Sequence, residues 1–253
     1  MAPVGGGGQR GAAIKFLFRA LGARNYRLFF SGQLVSLIGT WLTNTAMTWM
    51  VYRLTGSKEA LGVINFAGVV PAFLLSPFAG VMVDRWRRHP MLMWTQSLAM
   101  CESFGLAVVA FATAHYGKDT PPAVAHDALL AICGLVVFQG LVNAFDIPTR
   151  QALVIDLVDK REDLPNAIAL SSSMFNMARA IGPLLAGVLI VVVGEGWCFT
   201  LDGLSYIAVL VALTMMRLNE HPNAERRRHV LVEFREGLSY VKKFRAIRDI
   251  LMF

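Results

Sequence analysis

The sequence predicts an all-α integral membrane protein, a bundle of six transmembrane helices, on three observations. Apolar residues make up 55% of the 253 residues and charged ones only 16%, whereas a soluble domain usually carries about 25% charged residues. Six apolar stretches each reach the ~20 residues needed to cross ~30 Å of hydrocarbon as a helix. Charge collects in short basic segments between these stretches, and the mean hydropathy of +0.52 agrees.

The spans are expected at 28–52, 60–83, 91–114, 128–158, 166–193 and 197–216. Helix is the required conformation, because an open strand would leave backbone groups unpaired in lipid. Spans 4 and 5 are long enough to tilt or to project beyond the membrane. Before them, residues 1–27 form an amino-terminal segment that includes the glycine run Gly5–Gly8. The first apolar stretch is too long for a cleavable signal and reads as a retained anchor. The bundle proper is 28–216.

Residues 217–248 are polar, with Leu231, Phe234, Leu238 and Val241 recurring at three- and four-residue steps. That spacing predicts an amphipathic helix lying at the membrane surface. The run 249–253 reads as the start of a seventh span.

Orientation follows from the basic residues. All 24 Lys and Arg except Arg53, Lys58, Lys118 and the intramembrane Arg179 belong to segments on one side, with Arg150 placed within span 4. The excess places the amino terminus in the cytoplasm. It also accounts for the net charge of +7 without invoking nucleic acid. Cys101, Cys133 and Cys198 show neither metal spacing nor a disulfide framework. No HExxH, Walker loop or nucleophile elbow occurs. No catalytic residue, metal site or cofactor is expected, and the chain does not read as an enzyme.

Ionisable and polar groups inside spans are costly and mark functional candidates. In span 1, Gln33, Ser36, Thr40, Asn44 and Thr48 form a stripe. In span 4, Gln139, Asn143, Asp146 and Arg150 are spaced 4, 3 and 4 and share a face. Ser172, Asn176 and Arg179 share one in span 5. Three such stripes can line a central water-filled cavity. Asp146 and Arg150, at i,i+4, can pair. With Arg179 they are expected to form a network that lines or gates the path, or a static interhelical bridge. Glu102 is a lone carboxylate in span 3, a protonation site or a partly hydrated cavity residue.

Two motifs have their own mechanics. The span 2–3 connection contains Gly80, then Asp84-Arg85-Trp86-Arg87-Arg88-His89. Gly80 permits close helix approach, while Asp84, Arg85 and Arg88 can form charge bridges at helix ends. Such a cluster is a candidate cytoplasmic gate or latch; the bland alternative is a basic loop that only sets topology. In span 5, Ala178, Gly182 and Ala186 make a ridge of small residues, and Pro183 favours a kink. Gly182, Pro183 and Gly187 are candidate hinge and packing residues.

The Gly80/Asp84-Arg85/Arg88 pattern resembles the signature of the major facilitator superfamily, with Arg87 and His89 at positions where the usual residues differ. Arg179 through Gly187 resembles the Gly-Pro motif of exporters in that superfamily. The blocks 143–152 and 163–170, the run 175–183 and 49–56 are similar to the enterobactin-exporter-like branch. The resemblance implies one six-helix half of a twelve-helix fold, itself a three-plus-three repeat. The short echo of Pro77-Phe78-Ala79-Gly80-Val81 in Pro183 to Val188 fits such a repeat.

The resemblance also implies secondary-active export of a small, siderophore- or drug-like molecule across a bacterial inner membrane, with a second six-helix half or a second copy as partner. Protons are the expected coupling ion, although Val136 stands where proton-coupled exporters carry Arg before Gln139-Gly140. A truncated, non-transporting membrane module, regulatory or scaffolding, is the competing expectation.

Overall fold

The computed structural model describes residues 19–116, 120–158 and 160–217. The glycine run, the expected amphipathic helix at 217–248 (save Arg217) and the expected seventh-span start lie outside them. Six long helices are described: α1 (Arg24–Thr55), α2 (Lys58–Arg85), α3 (Arg88–Ala114), α4 (Pro122–Asp156), α5 (Leu164–Val192) and α6 (Glu195–Met215). Each coincides with one expected span.

The connections show why the helices stop where they do. α1 ends at Gly56, whose left-handed backbone (φ 63°) returns its N–H to Tyr52 O at 2.8 Å. The next residue, Ser57, caps α2 by accepting from Ala60 N at 3.1 Å. α4 begins at Pro122, earlier than its apolar run, because proline at a first helical position sacrifices no helix hydrogen bond. Gly194, at φ 89°, turns the chain between α5 and α6.

Five of these helices, α2 to α6, are long and apolar enough to cross a membrane, among the described residues. α1 is the exception to the expectation of six: it has 32 residues but falls short in apolarity. Its stripe of Gln33, Ser36, Thr40, Thr43 and Asn44 is the cause. Gln33, Ser36 and Thr43 are buried against other helices, so α1 is shielded by protein where its neighbours face outward.

α1 packs chiefly on α6 and α5, α4 chiefly on α2 and α3, and α3 on α6. This pattern is unchanged when α1–α3 are exchanged with α4–α6. Pro77 and Pro183 occupy the same register, each nineteen residues past the first residue of its helix, Lys58 and Leu164. The three-plus-three organisation is therefore visible in the packing.

Two apolar cores lie at opposite ends of the bundle. One gathers Met50, Val51, Leu106, Ile132 and Phe199; the other gathers Tyr26, Phe29, Leu92, Leu153 and Leu213. Between them lies a polar layer at 33–43 of α1, 95–103 of α3, 139–149 of α4 and 202–206 of α6. Lipid offers no hydrophobic drive for helix association, so close packing and hydrogen bonds hold such bundles together. At Gly182 a methyl group would fall 3.1 Å from both Ile38 O and Leu42 N of α1, so the glycine sets the α1–α5 distance. At Gly140 a Cβ would run into the backbone of Gly68 on α2. Tyr26 donates to Ala167 O at 2.8 Å, adding a polar tie between α1 and α5.

Candidate functional site

The polar layer borders an open cavity of about 200 Å³. α1 contributes Thr40, Thr43 and Asn44; α2 contributes Asn65; α4 contributes Gln139 and Asn143. Glu102 reaches it from α3, and Asp202 and Tyr206 from α6. The expected stripes on spans 1 and 4 thus do meet at one cavity. The span 5 stripe does not: Ser172, Asn176 and Arg179 are exposed, off the buried ridge of α5. Asn176 donates to Ser172 O at 2.9 Å, within its own helix.

Gln33 is likewise not a cavity residue. It is fully buried, and neither its amide oxygen nor its amide nitrogen has a hydrogen-bond partner among the described residues. Thr40 and Asn44 are at the cavity, about two and three turns further along α1.

Glu102 is not a lone carboxylate. Asp202 shares its cavity, and sequence reasoning missed it. Asp202 is 1% exposed; Ser103 donates to it at 3.0 Å, and Ser205 lies at 3.5 Å. Averaging apolarity over span 6 conceals a single acid. The rule that an ionisable group at membrane depth is a functional candidate would have found it.

Asp146 anchors a second arrangement toward the amino-terminal side of the bundle. It accepts from Thr95 Oγ1 and Gln96 Nε2, both at 2.7 Å on α3, and pairs with Arg150 one turn on. The i,i+4 pairing thus forms, but Arg179 does not join it. Its guanidinium lies over the Trp41 ring, 5.7 Å from the centroid, because the face of α5 that carries it turns away from α4. Thr95 and Gln96 had no signal beyond being polar in an apolar span.

At the latch motif, Arg88 bridges α3 to the end of α4, donating to Asp156 at 2.8 Å and to Ala152 O at 3.3 Å. Arg85 is half-buried and Asp84 exposed at the end of α2. Gly80 meets nothing within 4 Å where a Cβ would lie, and neither does Gly187, so neither makes the close approach that Gly182 does. Pro183 stands inside α5, which runs continuously through it.

The opposite end carries an ion pair that the sequence did not announce. Arg53 of α1 donates to Glu195 of α6 through Nε at 2.8 Å, and its Nη2 lies 2.6 Å from the same carboxylate and 3.2 Å from Thr113 Oγ1 of α3.

Six helices arranged as two interlocked triplets around a polar cavity define a half-bundle of the major facilitator type. The family described as "Transmembrane secretion effector" matches residues 18–253, and the chain belongs to it, a multi-pass membrane protein of the major facilitator transporters. The chain is 29% identical over 190 residues to the staphyloferrin A transporter of Staphylococcus aureus, covering 75% of this chain and 45% of that protein. It is 22% identical over 240 residues to macrolide efflux protein A of Streptococcus pyogenes, covering 90% and 55%. It is 24% identical over 198 residues to the enterobactin exporter EntS of Salmonella paratyphi A, covering 78% and 45%. The chain spans about half the length of these curated relatives.

Proposed function

We propose that the chain is one six-helix unit of a secondary transporter that exports a small organic molecule, siderophore- or drug-like, by alternating access. The observation that carries this is the polar cavity that opens halfway along the helices, between two apolar cores. Hydroxyl and amide groups in such a place are costly unless they serve a solute or water. The transport family and the exporter names of the relatives support the direction. The clustering of Arg19, Arg24, Arg27, Arg85, Arg87, Arg88 and Arg161 at one end supports a cytoplasmic amino terminus in a bacterial inner membrane.

The second unit packs against α2 and α5, whose exposed Phe66, Phe73, Leu184 and Val188 flank the cavity-bearing side. It is either a further six-helix half or a second copy of this chain. Arg179 and Asn176 then lie under it, which gives a reason for polar residues on an otherwise apolar face. Asp84 and Arg85 latch the two units at the cytoplasmic end, while Arg88 is committed to Asp156 within this one. No bound cofactor is required, and the driving force is an ion gradient, with protons as the coupling ion.

The test is efflux from cells lacking their own major pumps, with a panel of siderophores and antimicrobial compounds. Expression of the protein should lower accumulation of at least one compound. Asn143→Leu, which replaces a cavity-lining amide with an apolar side chain of similar size, should abolish that at unchanged membrane abundance. Equal accumulation of every compound with and without the protein would leave the non-transporting module as the better account.

A further inference from the structure

We propose that the cavity takes an organic cation, held by the Glu102 and Asp202 carboxylates and exchanged there for protons. The proposal rests on reading the cavity as the substrate site. The two acids come from different helices, α3 and α6, and face one space, and no described lining residue is Lys, Arg or His.

Asp202 is held in place. Ser103 donates to it at 3.0 Å, and α1 passes it at Gly39, where a Cβ would also fall 2.8 Å from Ser205 Oγ. Only glycine lets α1 approach the carboxylate so closely. Glu102 is different. It is 5% exposed and opens onto the cavity, yet it makes no hydrogen bond or ion pair with a described residue. A second buried acceptor, Gln139 Oε1, also lacks a partner. The cavity therefore presents acceptors whose complement comes from a ligand or from water.

Two buried carboxylates that are both ionised, with no cation between them, would be very costly. Protons or a bound cation must neutralise them, and one displaces the other. Among the described residues, Tyr206 is the only other titratable side chain lining the cavity, and α1, α2 and α4 present no charged group to it. Asp146, further along α4, is already paired with Arg150.

The experiment uses the full-length protein in liposomes and two probes of one shape and opposite charge, tetraphenylphosphonium and tetraphenylborate. Saturable binding of the cation is expected. It should weaken as pH falls and drop about tenfold or more in Glu102→Gln and in Asp202→Asn. Glu102→Asp, which keeps the charge, should restore it and guards against loss of fold. Asn143→Leu tests the cavity without touching a charge. Cation binding that survives the Glu102→Gln/Asp202→Asn double variant overturns the proposal. Binding of the anion instead, lost in Asn143→Leu, also overturns it but keeps the cavity as the substrate site. Saturable binding of neither probe, or binding indifferent to Asn143→Leu as well, overturns both.

Discussion

Arg53 of α1 and Glu195 of α6 form an ion pair in which both side chains are nearly buried, 10% and 11% exposed, at the end of the bundle opposite the amino terminus. Thr113 of α3 completes the knot, so three helices are tied at one point. Removing one partner leaves the other desolvated and unpaired. Arg53→Ala should destabilise the protein by about 2–4 kcal/mol, and Glu195→Gln, which keeps an acceptor for Arg53, by less. Thermal unfolding in detergent checks both, and a double-mutant cycle should return a coupling of about 1 kcal/mol or more.

Asp146 predicts a different balance. Its three partners, Thr95, Gln96 and Arg150, all lie within this chain and on two adjacent helices. It therefore braces α3 against α4 beside the cavity. Asp146→Asn removes the charge opposite Arg150 and should cost about 3 kcal/mol. Transport per folded molecule should stay close to that of the parent protein. Vesicle flux normalised to folded protein decides: flux lost at unchanged stability would make the pair a moving gate.

Gly182 and Gly187 should separate sharply although they lie five residues apart on α5. Gly182→Ala forces a methyl group into the α1 backbone and should lower the thermal midpoint by several degrees, a cost of about 1–3 kcal/mol. Gly187→Ala meets open space and should stay within about 0.5 kcal/mol of the parent protein.

Arg88 and Asp156 form an ion pair that is partly exposed, at 24% and 43%. Such pairs contribute little, about 0–1 kcal/mol. Asp156→Asn should therefore leave stability nearly unchanged. If the cytoplasmic charges act as a latch between units, Asp84→Asn should alter transport rate without altering the midpoint. Parallel flux and melting measurements on the two variants check this.

The helices were legible in the sequence because lipid leaves a strong imprint: apolar length marks the spans, and basic segments mark the turns on one side. The polar stripes of α1 and α4 were legible too, since spacing along a helix states which residues share a face. What a face meets is not written in that spacing. Arg179 shares a face with Asn176 as expected, yet that face turns outward, and Trp41 takes the place foreseen for Asp146. Asp202 was hidden because one acid hardly changes the average of an apolar span. Gln96 and Thr95 become significant only once α3 is seen beside Asp146.

The modest apolarity of α1 has a consequence for how the protein is made. Its main neighbours, α5 and α6, are the last of the six to leave the ribosome, so α1 must pass through the insertion machinery before the helices that shield Gln33, Ser36 and Thr43 exist. Membrane insertion of α1 is then expected to be inefficient in nascent chains ending before α5 and efficient in those that include α6. Glycosylation mapping of nascent chains of increasing length would reveal that delay. The helix packed between α5 and α6 would thus be the first of the six synthesised and among the last to settle.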